Sequence, residues 1–386
     1  MIGFGVGAGL DALLGVSDTE PANLSEQAFD RIDSIVSNIV IFGSDSSLRV
    51  QLAVVAEIAD RFGTQTSVIN HYIYNHGYRV GTHPRMLGDI DGDGNDDIVA
   101  IGNGGVSIAL SNGSGGFGTP FASVANFAPS AGGWTADHPR FMADINNDGY
   151  DDLVGFGGAG VYAAYSNGSG LGNPVLIFAD FGYTQGWRTA QHVRGVADVN
   201  GDGRPDLIGI NDAGVFVSLN STGGFYRYTT WTTELTKNNG GWSVADHPRI
   251  LADVNGDGMA DLVGFGYGGV AVALSNGRAF ETVSWWFAGF DYLRGWRVGV
   301  HERHLADVNG DGLADIVGFA QNGTHVALSD GTGFVGDGQW HAAYGAGQDW
   351  SAAHFPRALG DLNGDGAADI VGFHRATTYT SLATIP

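Results

Sequence analysis

The sequence predicts an all-β fold, a six-bladed β-propeller of four-stranded blades, with a small helical hairpin ahead of it. A nine-residue acidic motif, D-x-[DN]-x-D-G-x-x-D, recurs six times at intervals of 54 or 55 residues, and an apolar run such as LVGFG follows it. A period of that length indicates a repeat architecture. The second and third strands of each repeat are apolar on both faces, which is typical of strands buried between stacked blades. The six copies begin at Asp89, Asp144, Asp198, Asp253, Asp307 and Asp361.

Residues 1–64 do not share the repeat and are predicted to form a separate helical segment. Asn23 to Glu26 has the pattern of a capping box, and apolar residues then recur at helical spacing in two stretches that end at Gly63. The predicted hairpin has one apolar face, which could cover part of the propeller or form a homodimer. An alternative places a seventh, degenerate blade here, because residues 38–43 resemble a decayed copy of the second strand.

The propeller is predicted over residues 65–386, and each repeat supplies four strands with the acidic motif between the first two. The sixth repeat ends before a fourth strand. Residues 66–74 align with the fourth-strand segments of other repeats, so we expect them to complete blade six and to remove an open sheet edge. In the second repeat the predicted strands are 141–144, 152–157, 160–166 and 174–178.

Each acidic motif carries oxygen-bearing side chains at positions 1, 3, 5 and 9. This spacing lets a tight loop wrap a hard cation such as Ca²⁺, and glycine permits the sharp turn. A single copy could equally be a polar turn, but six copies at one spacing favour up to six structural Ca²⁺ ions. The predicted ligands are Asp89, Asp91, Asp93, Asp97, Asp144, Asn146, Asp148, Asp152, Asp198, Asn200, Asp202, Asp206, Asp253, Asn255, Asp257, Asp261, Asp307, Asn309, Asp311, Asp315, Asp361, Asn363, Asp365 and Asp369.

The composition argues against some classes of binding partner and against disulfides. The formal net charge is -23, from 41 acidic and 18 basic residues, whereas a nucleic-acid-binding protein is expected to carry a basic patch. Cysteine is absent, so disulfides cannot stabilise the fold. The N-terminal apolar run contains Asp11 and the first basic residue is Arg31, so we expect no secretory signal and no membrane insertion. Either a cytoplasmic location or non-classical secretion is compatible with this pattern.

A second recurring segment is Gly-Trp followed by His-x-Arg, just ahead of each first strand. Strand direction alternates within a blade, so these segments gather at the end opposite the acidic loops, near the blade junctions. An aromatic face, an imidazole and a guanidinium suit a sugar, although the same groups could simply pack between blades. Blade six departs from this pattern, because Phe355 takes the histidine position. The candidate carbohydrate-binding residues are Tyr78, His83, Arg85, Trp134, His138, Arg140, Trp187, His192, Arg194, Trp242, His247, Arg249, Trp296, His301, Arg303, Trp350 and Arg357.

The joined pattern of both motifs resembles a known family. From Asp180 to Phe225, and in most other repeats, it is similar to the fungal N-acetylglucosamine-binding propeller lectins of the Psathyrella velutina type, and to the wider FG-GAP repeats of integrin α-subunits. The resemblance covers residues 66–386. It implies a calcium-stabilised multivalent lectin for glycans and glycoproteins with terminal N-acetylglucosamine (GlcNAc), with sialic acid as a further candidate ligand.

Two other classes of function fit parts of the pattern. An integrin-like adhesion or scaffold propeller would bind protein, and a propeller lyase or dehydratase would act on sugars. An enzyme needs one unique acid and base pair in a deep site, whereas every candidate here occurs in five or six equivalent copies. Repeated shallow sites suit avidity, so a non-enzymatic binder is favoured.

Overall fold

A computed structural model describes residues 61–384 of the chain. Within that range the chain forms six four-stranded antiparallel sheets, which confirms the predicted fold class. The predicted N-terminal hairpin, up to residue 60, and the alternative seventh blade lie outside this range. At the end of the predicted hairpin, Phe62 is not helical: it forms an antiparallel β-bridge with Ala383 and is fully buried. In the described part of the chain, helical structure is limited to three short 3-10 turns, Tyr74–His76, Tyr183–Gln185 and Ala346–Gln348. None of the described helices is long and apolar enough to cross a membrane.

The strands follow the repeat closely. Blades one to five consist of β2 to β5, β6 to β9, β10 to β13, β14 to β17 and β18 to β21, and blade six consists of β22 to β24 with β1. The bounds are β1 Thr66–Ile69, β2 Arg85–Gly88, β3 Asp97–Ile101, β4 Val106–Ala109, β5 Phe121–Ala122, β6 Arg140–Ala143, β7 Asp152–Phe156, β8 Val161–Ala164, β9 Val175–Phe178, β10 Val193–Ala197, β11 Asp206–Ile210, β12 Val215–Ser218, β13 Thr229–Thr232, β14 Arg249–Ala252, β15 Asp261–Phe265, β16 Val270–Ala273, β17 Ser284–Phe287, β18 Arg303–Ala306, β19 Asp315–Phe319, β20 Thr324–Ser329, β21 Phe334–His341, β22 Arg357–Gly360, β23 Asp369–Phe373 and β24 Thr378–Ser381.

The blades form a closed ring. The first strand of each blade contacts the first strand of the next, and β2 of blade one also contacts β22 of blade six. Strand β1, from the start of the described chain, pairs antiparallel with β24, with Thr66 opposite Thr380. One sheet therefore contains both ends of the propeller, and this pairing covers the edge that β24 would otherwise leave open.

The core lies between the blades. All residues of every second strand are buried, for example throughout Asp152–Phe156, because neighbouring blades cover both faces of that strand. Phenylalanine at the end of the second strand is fully buried in four blades and isoleucine takes its place in the other two. These residues are Ile101, Phe156, Ile210, Phe265, Phe319 and Phe373.

The acidic loops also link neighbouring blades through their backbones. The N–H group at loop position 8 donates to the carbonyl oxygen at position 1 of the preceding loop, as from Asp151 to Asp89 at 2.7 Å. Proline at position 205 has no N–H to donate. At that junction the side chain of Asn220 donates to the carbonyl oxygens of Ile145 and Pro205, at 2.8 and 3.2 Å. The ring is thus joined by hydrogen bonds at the acidic loops.

Candidate sugar site and acidic loops

Each connection between blades lies over the turn between the second and third strands of the blade before it. The N–H groups of Tyr183 and Thr184 donate to the carbonyl oxygens of Gly157 and Gly158, at 2.9 and 2.8 Å. The connection then passes to its own blade, where Trp187 and His192 precede the first strand. The Gly-Trp and His-x-Arg segments therefore lie at the end of the propeller opposite the acidic loops.

The tryptophans pack over a glycine in the middle of the second strand. A Cβ atom at Gly209 would lie only 2.5 Å from the indole of Trp187, so this position leaves no room for a side chain. Blade one has the smaller ring of Tyr78 and carries Ala100 at the glycine position. The five tryptophans are between 4 and 8 % exposed, so their rings pack inside the fold and present little surface to a ligand. They are Trp134, Trp187, Trp242, Trp296 and Trp350.

The arginines of the His-x-Arg segments are buried as well. Arg194 donates to the carbonyl oxygen of Asp137 at 2.8 Å and lies over the ring of Phe156 in the preceding blade. Burial lowers the pKa of Arg194 to about 10. This geometry joins blades and presents little of the guanidinium to a ligand. The six arginines, each between 3 and 8 % exposed, are Arg85, Arg140, Arg194, Arg249, Arg303 and Arg357.

The histidines have a fixed tautomer. In each of five blades the imidazole Nδ1 accepts the backbone N–H of the residue that follows the aromatic ring, as from Arg188 to His192 at 3.2 Å. A ring nitrogen that accepts carries no proton, so the neutral ring holds its proton on Nε2 and can donate there. Burial lowers the pKa of His192, which favours this neutral form. The equivalent bonds fix His83, His138, His247 and His301.

A cleft in blade five shows the space available at one of these sites. Its volume is about 350 Å³, within the range of small-ligand sites. The imidazole of His301 lies against the indole of Trp296, with ring centroids 5.5 Å apart. Arg294 forms an ion pair with the fully buried Asp291. The cleft is lined by Arg294, Gly295, Trp296, His301, Ala320, Gln321, Asn322 and His325.

Blade six lacks the donor found in the other blades. Phe355 occupies the histidine position and packs against His374, with ring centroids 4.3 Å apart. His374 also lies 4.6 Å from the indole of Trp350, while His354 faces Tyr74 of the next connection. Arg357 pairs with Glu302 at 3.0 Å. The local chemistry is therefore aromatic packing rather than an outward-facing N–H.

Sequence reasoning missed a turn residue at a fixed distance along the chain from each histidine position. It is the second residue of the turn between the second and third strands, and it always follows the histidine position by 20 residues. In blade one this residue, Asn103, accepts a hydrogen bond from His83. The constant spacing is a signal that the sequence does contain. The six residues are Asn103, Gly158, Asp212, Tyr267, Gln321 and Arg375.

The first acidic loop brings three of its carboxylates together. Ligand atoms of Asp89, Asp91 and Asp97 lie within 4.8 Å of one another. The chain turns through positive φ at Gly92 and Gly94, at 75° and 85°, conformations that favour glycine. Burial, together with the nearby carboxylates Asp91 and Asp89, raises the pKa of Asp97 to about 7. Oxygen donors crowded in this way suit a hard cation, which would offset their repulsion.

Comparisons with known proteins gave matches to the repeat and to most of the chain. The FG-GAP-like repeat model matches residues 89–155 and 307–372. A solved structure on specific recognition of non-reducing terminal N-acetylglucosamine by an Agrocybe aegerita lectin is 38 % identical to this chain and has a TM-score of 0.67. The match covers 82 % of this chain and 81 % of that one. The chain belongs to the fungal propeller-lectin family. The resemblance read from the sequence is thereby confirmed.

A further comparison shows a similarity of fold alone between this propeller lectin and a toxin. The Photorhabdus luminescens Tc holotoxin pore is 18 % identical with a TM-score of 0.58, and the match covers 84 % of this chain but 15 % of the toxin chain. A comparison with curated proteins found no match. Because the Agrocybe aegerita relative is a lectin, membership of its family supports the non-enzymatic class that the sequence predicted.

Proposed function

We propose that this propeller lectin binds glycans and glycoproteins with terminal GlcNAc at sites beside the histidines of the His-x-Arg segments. The observation that carries the proposal is the match over 82 % of the chain, at 38 % identity, to a lectin whose structure concerns recognition of non-reducing terminal GlcNAc. The cleft of about 350 Å³ beside His301 and Trp296 supports placing a sugar on this face.

The chemistry of the sites supports a sugar ligand. The imidazole presents an Nε2–H donor that points away from its bonded Nδ1, and a sugar oxygen is a suitable acceptor. The neighbouring indole exposes only a small area, 8 % in Trp296, so its apolar contact with a sugar ring is minor. The guanidiniums are left out of the proposed contacts, because all six arginines are buried and five of them donate to backbone carbonyls, as Arg303 does to Phe290 at 3.2 Å.

Repetition of the site would make the lectin multivalent. Five blades carry the fixed histidine, and all five lie at one end of the ring. A surface that displays many sugars could engage several sites at once, which raises the overall affinity without any new contact. Sialic acid also carries an N-acetyl group and is the second candidate ligand.

Calcium is proposed as a structural component of the opposite end. Positions 1, 3, 5 and 9 of each loop would supply side-chain oxygens, with Asp89, Asp91 and Asp97 already gathered in the first loop. A bound cation would neutralise carboxylates whose burial is otherwise unfavourable. It would thereby hold β2 against β3, and the corresponding strands of other blades, without taking part in any reaction.

A glycan array tests the proposed ligand. Labelled protein with calcium should bind glycans that end in GlcNAc, and the double variant His138→Ala/His247→Ala should lose most of that signal because two donors are removed. His76→Ala is the matched control, since His76 is exposed and lies outside the five positions. Absence of GlcNAc binding by the wild-type protein would contradict the proposed function, and an unchanged double variant would contradict the proposed sites.

A further inference from the structure

We propose that the sugar site of blade one is occupied by the protein's own Asn103, whose side-chain amide takes the place of the acetamide group of a bound sugar. The inference rests on the proposed function. His83 Nε2 lies 2.9 Å from Asn103 Oδ1, and His83 Nδ1 accepts the backbone N–H of Arg79 at 3.1 Å. The accepting Nδ1 assigns the proton to Nε2, so the imidazole is the donor and the amide oxygen is the acceptor.

The histidine of blade one is less accessible to a ligand than the histidines of the other four blades. His83 is buried, at 7 % exposure, whereas His138, His192, His247 and His301 are half-buried. An imidazole Nε2–H makes one well-aligned hydrogen bond. A ligand oxygen could therefore reach this donor only by displacing Asn103.

The acceptor indicates which ligand group the open sites hold. A side-chain amide and an N-acetyl group share the same planar amide carbonyl, so both offer an equivalent acceptor oxygen. In blade five Gln321, a second side-chain amide, stands at the equivalent position and lines the same cleft as His301. We therefore assign the acetamide carbonyl oxygen of GlcNAc as the acceptor for Nε2–H in the sites where no side-chain amide of the protein is bonded to the imidazole.

Blade two has the histidine but no side chain at the position of Asn103. Gly158 stands at the position of Asn103, 20 residues after His138, and offers no side chain to the imidazole. A Cβ atom at Gly158 would meet nothing within 4 Å, and the backbone there does not have positive φ. The Cβ atom of an asparagine at this position therefore meets no clash, and the exchange can be made in both directions.

The test counts GlcNAc molecules per chain by equilibrium dialysis of the full chain with labelled sugar. Asn103→Gly should add one site, and Gly158→Asn should remove one. Ala159→Asn is the matched control, because it places the same amide one residue further along the same turn, and it should leave the number unchanged. Labelled glucose, which lacks the acetamide group, should show no added site in Asn103→Gly.

Several results would overturn the inference. They are an unchanged number of sites in a folded Asn103→Gly protein, an unchanged number in Gly158→Asn, or a gain that glucose shows equally. A crystal of the wild-type protein soaked in GlcNAc gives an independent reading, since blade one should stay empty while blade two is filled. If wild-type protein and all variants bind no GlcNAc, the proposed function itself fails.

Discussion

Replacing Gly209 by alanine should destabilise the propeller without touching the proposed donors. The new Cβ atom would lie 2.5 Å from the Trp187 indole and 3.1 Å from the Phe181 ring, well inside the ordinary carbon contact of about 3.5–4.0 Å. Overpacking of this kind costs about 1–3 kcal/mol. Alanine also lowers the conformational entropy of the unfolded chain, which offsets about 0.4–1 kcal/mol of that cost. The net loss of unfolding free energy should be about 1–2 kcal/mol.

Blade one supplies the compensating change. It combines Tyr78 with Ala100 where other blades combine tryptophan with glycine, so Trp187→Tyr should make room for the new methyl group. Chemical denaturation of the two single variants and of the double variant gives a double-mutant cycle. Gly223→Ala is the control, because its nearest neighbour atom would be 3.8 Å away and its φ is not positive.

The double variant Gly209→Ala/Trp187→Tyr should be less destabilised than the sum of the single variants by about 1 kcal/mol. The Gly223→Ala control should change the unfolding free energy by no more than about 0.5 kcal/mol. Strictly additive losses would show that the glycine and the indole are energetically independent. A neutral Gly209→Ala would refute the packing argument altogether.

Three further perturbations separate the roles of the ions and side chains. Chelation of calcium should lower the melting temperature, because an ion that binds only the folded loops stabilises them by mass action; an unmoved curve would leave the loops as polar turns. Arg194→Ala should cost about 1–3 kcal/mol, since the partly buried carbonyl of Asp137 loses its donor and the packing over Phe156 is lost, and a loss confined to sugar affinity would contradict its packing role. Acidification from pH 7 to pH 5, followed by calorimetric titration with GlcNAc, should weaken binding. Burial lowers the pKa of His138, so the ring is neutral above the ordinary histidine pKa of about 6.5. A proton taken up on Nδ1 as pH falls below it would break the bond from the Thr135 N–H that orients the ring. Affinity that rises on acidification would contradict the neutral donor.

The repeat made the fold predictable from the sequence. The interval between Asp253 and Asp307 gives the size of a blade, and the apolar run after each loop marks a strand covered on both faces. These are local patterns, and each is repeated often enough to be distinguished from an isolated turn. The same logic located the acidic loops and the Gly-Trp segments at opposite ends of the ring.

The depth of the site could not be predicted in the same way. Trp187 and Gly209 are 22 residues apart, and only the folded strand shows that the missing side chain of one makes room for the other. Asn103 reads as an ordinary turn residue until its amide is seen beside His83. Burial and partner choice depend on contacts between segments, which the local pattern does not contain.

A crystal structure of the protein with GlcNAc and calcium is the most direct test of the central claim, that sugars bind at the fixed imidazoles. Sugar should lie within hydrogen-bonding distance of His138 Nε2, with its acetamide oxygen as the acceptor and no sugar beside Phe355. Sugar bound only elsewhere on the ring, with every imidazole site empty, would contradict the account.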